Sequence, residues 1–375
     1  MARQDPRRTL SRSQGSEQPA RQALITGSVL RLARESSTSI CSQERLAELL
    51  GISVDTEAGW ESGRRPLAAA KAAQVLLLKA TLIRIGAAPN LVRLMDVAME
   101  ADQILDHARC RADRHRRSDF HPLGAYVHRR EVIELVAWPL SSRKPQTIPA
   151  GSGARRHGPV PAGPELSNGD RNQVYDHLRQ VVEASQSEDN LLYRQALYLQ
   201  SYDQREDARE WMAQQYRRLP RQHSGWSSQW PALRTLAASM VRYGDPSILI
   251  DFSEQGLADE AGHVANLNYW AYWVGESVGT QRDDSFMPVR LGAWRGEKIL
   301  RHLISRLDAA EGVADLGIHT LRTLLAARPR LLDEDPESVA TLAESVERLL
   351  DAGRMSPTAR QALAEINFAV RLHTR

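Results

Sequence analysis

Residues 42–66 read SQERLAELLGISVDTEAGWESGRRP, and the fold turns on how this stretch is read. Leu46, Ala47 and Leu50 share one face of a short helix, and the small Ala47 lets a second helix come close. Gly51 can take the left-handed conformation that ends the first helix. Ile52 plugs the angle, and Ser53 can cap a second helix whose inner face includes Trp60. Two short helices meeting sharply across such a turn form a helix-turn-helix.

The pattern Ser-Gln-x-x-Leu-Ala-x-x-Leu-Gly-Ile-Ser, followed by Trp-Glu-x-Gly-Arg-Arg-Pro, resembles the xenobiotic-response-element (XRE), lambda-repressor-like family of DNA-binding domains. The resemblance runs from Val29 to about Ile85 and leaves the C-terminal two thirds uncovered. It implies a five-helix domain, usually dimeric, that binds double-stranded DNA and regulates transcription. Carried over by position, Gln43 would hydrogen-bond a phosphate, as would Ser62 and the backbone near Gly63, and Arg64 and Arg65 would add charge to the same rail. The base-reading positions fall on Ser53, Val54, Asp55 and Gly59. Val54 could touch a thymine methyl, and Asp55 could accept from a cytosine amino group. Glu61 takes the place of the family's structural glutamate, which pairs with a first-helix arginine; Arg34 is the candidate here.

Several residues depart from that pattern. Glu57 stands where the family has a core aliphatic residue, so either it tilts into solvent or the core is marginal. Gly59 lies mid-helix, costs about 1 kcal/mol relative to alanine, and offers a base no side chain. Asp55, Glu57 and Glu61 make the recognition helix acidic. The loop from Arg34 to Ser42 is about two residues longer than usual. These departures move the expected DNA affinity toward Arg64, Arg65, Lys71, an arginine-bearing arm and the Arg109–Arg117 stretch, and such a phosphate-dominated complex is steeply salt-dependent.

Outward from this stretch, residues 1–22 read as a disordered basic arm and 23–110 as the helix-turn-helix domain. Turn signals at Ser36–Ser39, Gly51–Ser53, Gly63–Pro66 and Gly86–Asn90 divide that domain into five helices. Residues 111–140 form a basic, then helical, extension whose charge either widens a DNA face or simply lies in solvent. Residues 141–170, rich in proline and glycine, read as a linker. Beyond it, 171–375 shows nine or ten amphipathic segments and no alternating strand, which implies a helical bundle or an α-solenoid. The pair Asn190–Gln200 and Arg205–Leu219 has the size of a tetratricopeptide hairpin. Formal charge is +3 over 375 residues, but residues 1–130 hold 21 basic and 14 acidic side chains, so the front end is the better partner for a polyanion.

Fifteen of 21 aromatic residues lie between Tyr193 and Trp294. In the densest patch Asn266, Trp270 and Trp273 share a face, which reads either as a groove for a small-molecule or peptide effector or as a helix buried on both sides. His121 and His128 share a face only if a helix continues through Gly124, and they lack a third metal ligand. Two cysteines, Cys41 and Cys110, suit a reducing compartment and form neither a disulfide scaffold nor a zinc motif. Neither a signal peptide nor a membrane span is legible, and nucleotide-loop, nucleophile-elbow and metalloprotease motifs do not occur. The expectation is an all-α, cytoplasmic, homodimeric transcription regulator without cofactor, metal or catalytic residues, its C-terminal domain sensing an effector. The alternative is a protein-interaction scaffold in which a degenerate helix-turn-helix docks protein.

Overall fold

The computed structural model describes residues 22–38, 41–109, 121–149, 162–185, 190–219, 225–277, 279, 281–307, 311–352 and 355–373. Among them are eighteen α-helices and no strand. The first five are α1 (Leu24–Glu35), α2 (Gln43–Leu50), α3 (Val54–Glu61), α4 (Ala72–Arg84) and α5 (Pro89–Arg109). Each gap between them falls on a turn legible in the sequence. Ser42 caps α2 by accepting from Arg45 N–H, and Gly51 ends it at φ 64°. Ser53 caps α3 by accepting from Thr56 N–H.

Helix α1 is the centre of this group. Its buried Ile25, Val29, Leu30 and Ala33 pack mainly on α5, while Gly27 lies against the Trp60 and Glu61 carbonyls of α3. Ala23 has no side chain able to cap α1. Asp102 of α5 does so instead, accepting from Ile25 N–H at 3.0 Å, Thr26 N–H at 2.8 Å and Thr26 Oγ1 at 2.6 Å. The long loop after α1 packs on the α4–α5 turn: Ser36 Oγ accepts from Ala88 N–H, and Thr38 Oγ1 donates to the Ile85 carbonyl. Ser39 and Ile40 lie outside the described residues.

Beyond α5 the helical part of the extension expected over residues 111–140 is two helices, α6 (Pro122–Tyr126) and α7 (Arg130–Ser141), broken at Val127–Arg129. Helices α8 (Asn168–Ala184) and α9 (Asn190–Gln200) then pack back on α5 and α7. One hydrophobic core therefore runs from Ile25 through Val132, Trp138, Tyr175 and Leu197 to Met240. The described ends of the proline- and glycine-rich segment belong to it, because Ile148 and Leu166 are buried and Gly163 lies against the Trp138 indole. Arg109, also buried, holds Asp170 at 2.8 Å across the same segment. These ends are packed structure rather than free linker; residues 150–161 lie outside the described residues.

The remaining helices are α10 (Ala208–Arg218), α11 (Trp230–Arg242), α12 (Ser247–Gln255), α13 (Glu260–Trp273), α14 (Glu297–Ile304), α15 (Glu311–Ala327), α16 (Leu331–Glu334), α17 (Pro336–Ala352) and α18 (Pro357–His373). Two further clusters support them, one around Trp230, Phe252 and Met287 and one around Leu300, Leu321 and Leu363. The expected pairing of Asn190–Gln200 with Arg205–Leu219 is not the main packing of either helix. Helix α9 packs chiefly on α8 and α11, and α10 on α11, since buried Met212 and Ala208 turn the apolar face of α10 that way. Helix α13 is tied to α7 at its C-terminal end, where Arg130 Nη1 donates to the Tyr272 and Trp273 carbonyls. No described helix is long and apolar enough to cross a membrane.

Candidate nucleic-acid interface

The α2–α3 pair is fixed from behind by one carboxylate. Glu61, buried at the end of α3, accepts from Arg34 Nε at 2.6 Å and Nη2 at 2.9 Å, while Arg34 Nη1 donates to the Cys41 carbonyl at 2.8 Å. This is the arginine–glutamate pair expected from the sequence. Bidentate pairing is the strongest arrangement open to the two groups. Gln43 Nε2 also donates to Glu61, at 2.7 Å. The Gln43 side chain, expected to reach a phosphate, is therefore engaged in this network through one amide N–H, which leaves its second amide hydrogen and its backbone N–H at the start of α2 for that role.

The negative charge of each of the three acidic residues of α3 is offset in a different way. Glu57 does not tilt into solvent; its relative exposure is 0% and neither oxygen finds a hydrogen-bond partner among the described residues. Burial, and then the neighbouring Glu61 carboxylate, push its acid up to about 9, so it is neutral at pH 7. Glu61 is neutralised by Arg34. Asp55 stays exposed, but Arg64 and Arg65 each reach it at 2.7 Å, and Arg65 also donates to Thr56 Oγ1. Pairs as exposed as these contribute about 0–1 kcal/mol, so a phosphate can compete for either arginine.

Ser53, Val54 and Asp55 lie together at the exposed start of α3, with Val54 43% exposed. Gly59, expected to face a base, is buried, and its Cα lies beneath the Arg65 side chain, where an added Cβ would come within 3.0 Å of Cδ. The absent side chain makes room for Arg65 to cross α3 and reach Asp55 and Thr56. Ser62 is exposed and donates to the Gly59 carbonyl at 3.2 Å. The outer face of α2 and α3 is of mixed sign, since Glu44, Glu48 and Asp55 interrupt Arg45, Arg64 and Arg65. The basic residues of the arm and those from Arg111 to Arg117 lie outside the described residues.

The aromatic patch of α13 is mostly internal. Asn266, 1% exposed, donates from Nδ2 to Thr320 Oγ1 and accepts from Arg234 Nε, and the Arg234 guanidinium stacks on Tyr269 and Trp270. Asn268 is saturated by the loop it supports, donating to the Met287 and Arg290 carbonyls and accepting from Trp294 Nε1 and Gly292 N–H. Trp270 and Trp273 are half-buried, and their indole N–H groups find no acceptor among the described residues. Asn266 is therefore part of the core. A cleft of about 10 Å³ beside Tyr272 and Trp273, and another of about 30 Å³ beside Asp315 and His319, have room for water rather than an organic effector.

Comparison of the chain with protein-family models, with curated proteins and with solved structures finds no match.

Proposed function

We propose that the chain is an XRE-type transcription regulator of the cytoplasm that grips double-stranded DNA with α2 and α3, α3 lying in the major groove. The observation that carries this reading is the Arg34–Glu61–Gln43 network. It fixes α3 against α1 and α2 while leaving Ser53, Val54 and Asp55 outside, so a rigid scaffold presents a short exposed helix start. The neutral Glu57 and the paired Asp55 and Glu61 lessen the repulsion that the composition of α3 would otherwise exert on phosphates. Arg64 and Arg65 are the described side chains best placed for phosphates.

A homodimer belongs to this reading. Residues Leu91–Ala108 are largely committed to the chain's own core, whereas Leu76, Leu77 and Ile83 of α4 are 66, 49 and 47% exposed and form an apolar group open to a second copy. The C-terminal helices act as a sensor, and its input reaches the DNA-binding helices through α5, α7 and the Arg130–α13 contact.

The test is binding of the full-length chain to non-specific duplex DNA across a salt series. The reading predicts log affinity falling with log salt by about 0.9 per phosphate contact, with a shallower slope for Arg64→Ala/Arg65→Ala. Affinity absent at low salt would count against it. The second reading, a scaffold whose α2–α3 face docks protein, is favoured by one observation, the alternation of Glu44, Glu48 and Asp55 with the arginines of that face.

A further inference from the structure

Three imidazoles from separate helices meet where the first five helices join the rest of the chain. His107 comes from the last turn of α5, His121 is the N-cap of α6, and His177 lies in α8. Their ring centroids are 5.1, 5.3 and 4.9 Å apart, and one nitrogen from each lies within 4.8 Å of the other two. His121 Nε2 is 2.7 Å from His177 Nε2. All three are half-buried. Burial and the two neighbouring imidazoles push the His121 pKa down to about 3, which leaves its ring neutral at physiological pH.

Three imidazoles converging from rigid helices form a donor set for a borderline-soft dication and a poor one for magnesium or calcium, which take oxygen ligands. We propose that His107, His121 and His177 form a site for a divalent transition-metal ion of the zinc class, with a fourth position open to solvent. Tetrahedral ligands 2.0–2.1 Å from such an ion lie about 3.3 Å apart, so the His121 and His177 nitrogens part by about 0.6 Å on binding. Leu123 N–H donates to His121 Nδ1 at 3.0 Å. In the metal-free protein the ring proton is therefore on Nε2 and is shared with His177. Binding through Nε2 moves that proton to Nδ1 and releases the Leu123 N–H, exchanging the cap of α6 for a metal bond. The ion would then fasten α8 to α5 across 70 residues of chain, at the joint through which the C-terminal helices touch the N-terminal ones.

The experiment uses the untagged full-length chain, stripped with EDTA and titrated with Co²⁺ and then Zn²⁺. The site predicts one equivalent of Co²⁺ with the strong ligand-field absorption of a tetrahedral centre, displacement by Zn²⁺, and a melting temperature that rises with free zinc. His177→Ala and His107→Ala should each weaken binding at least about 100-fold. Replacing both members of a second neighbouring pair, His263 and His319, should change nothing. If the cluster variants do not fold, the Cu²⁺ electron paramagnetic resonance spectrum of the wild-type chain decides, since it reports the number of nitrogen ligands. Absence of stoichiometric binding by the wild-type chain, binding unchanged in the cluster variants, or a copper spectrum without several nitrogen ligands would overturn the proposal.

Discussion

Glu57 is the residue whose substitution says most about the first core. A carboxyl that titrates near 4.3 in an unfolded chain and at about 9 in the fold holds a proton that unfolding releases at neutral pH. Between those values the folded state binds more protons, so this group's contribution to stability falls as pH rises from about 4 to 9. Glu57→Leu should remove that decline and raise stability at pH 8 by about 1–3 kcal/mol. Melting curves of both proteins at pH 5 and pH 8 give the comparison, and an unchanged pH dependence would mean that Glu57 is ionised and paired in solution. The misfit of Glu57 was legible in the sequence, because a carboxylate stood at an apolar position. Its outcome was not, since neutrality depends on how closely Glu61 and the core surround it. The Arg34–Glu61 pair was legible as well, whereas the inward turn of Gln43 and the covering of Gly59 by Arg65 depend on side-chain directions that spacing does not carry.

Among the elements, α2, α3 and the turn between them could be read from Ser42, Gly51 and Ser53 because caps and left-handed glycines are local signals. The anchoring of α1 could not, as its cap comes from Asp102, 76 residues from Thr26. The approach of α1 to α3 is equally non-local. A Cβ at position 27 would stand 2.4 Å from the Glu61 carbonyl oxygen and 2.7 Å from that of Trp60, both backbone atoms. Gly27→Ala, which elsewhere in a helix would stabilise by about 1 kcal/mol, should here destabilise by about 1–3 kcal/mol through overpacking. Equilibrium urea denaturation measures it, and a stabilised variant would show that α1 and α3 stand further apart than described.

For the whole molecule, apolar periodicity pointed to the helices that the described residues form, while the proline and glycine of 141–170 suggested a break. Proline and glycine mark irregular backbone, and irregular backbone can still be packed, as Ile148, Gly163 and Leu166 are. The histidine cluster was hidden for a related reason: His107, His121 and His177 lie far apart in sequence and are united only by the docking of α8 on α5. A chain ending at residue 149 would lose α8 and α9 and expose the faces of α5 and α7 that they cover. It should aggregate or melt well below the full-length protein, as scanning calorimetry with light scattering would show. A monodisperse fragment melting at the full-length temperature would mean that the N-terminal helices fold on their own. The central claim, that α2 and α3 grip DNA, meets its most direct test in the host cell, by genome-wide enrichment of crosslinked DNA with the tagged chain and with Arg64→Ala/Arg65→Ala. Gln43 is left intact in this variant because it supports Glu61. The account predicts sharp peaks sharing a half-site in the wild type and their loss in a variant that melts normally; a well-expressed wild-type chain with no peaks would contradict it and turn attention to protein partners of the same face.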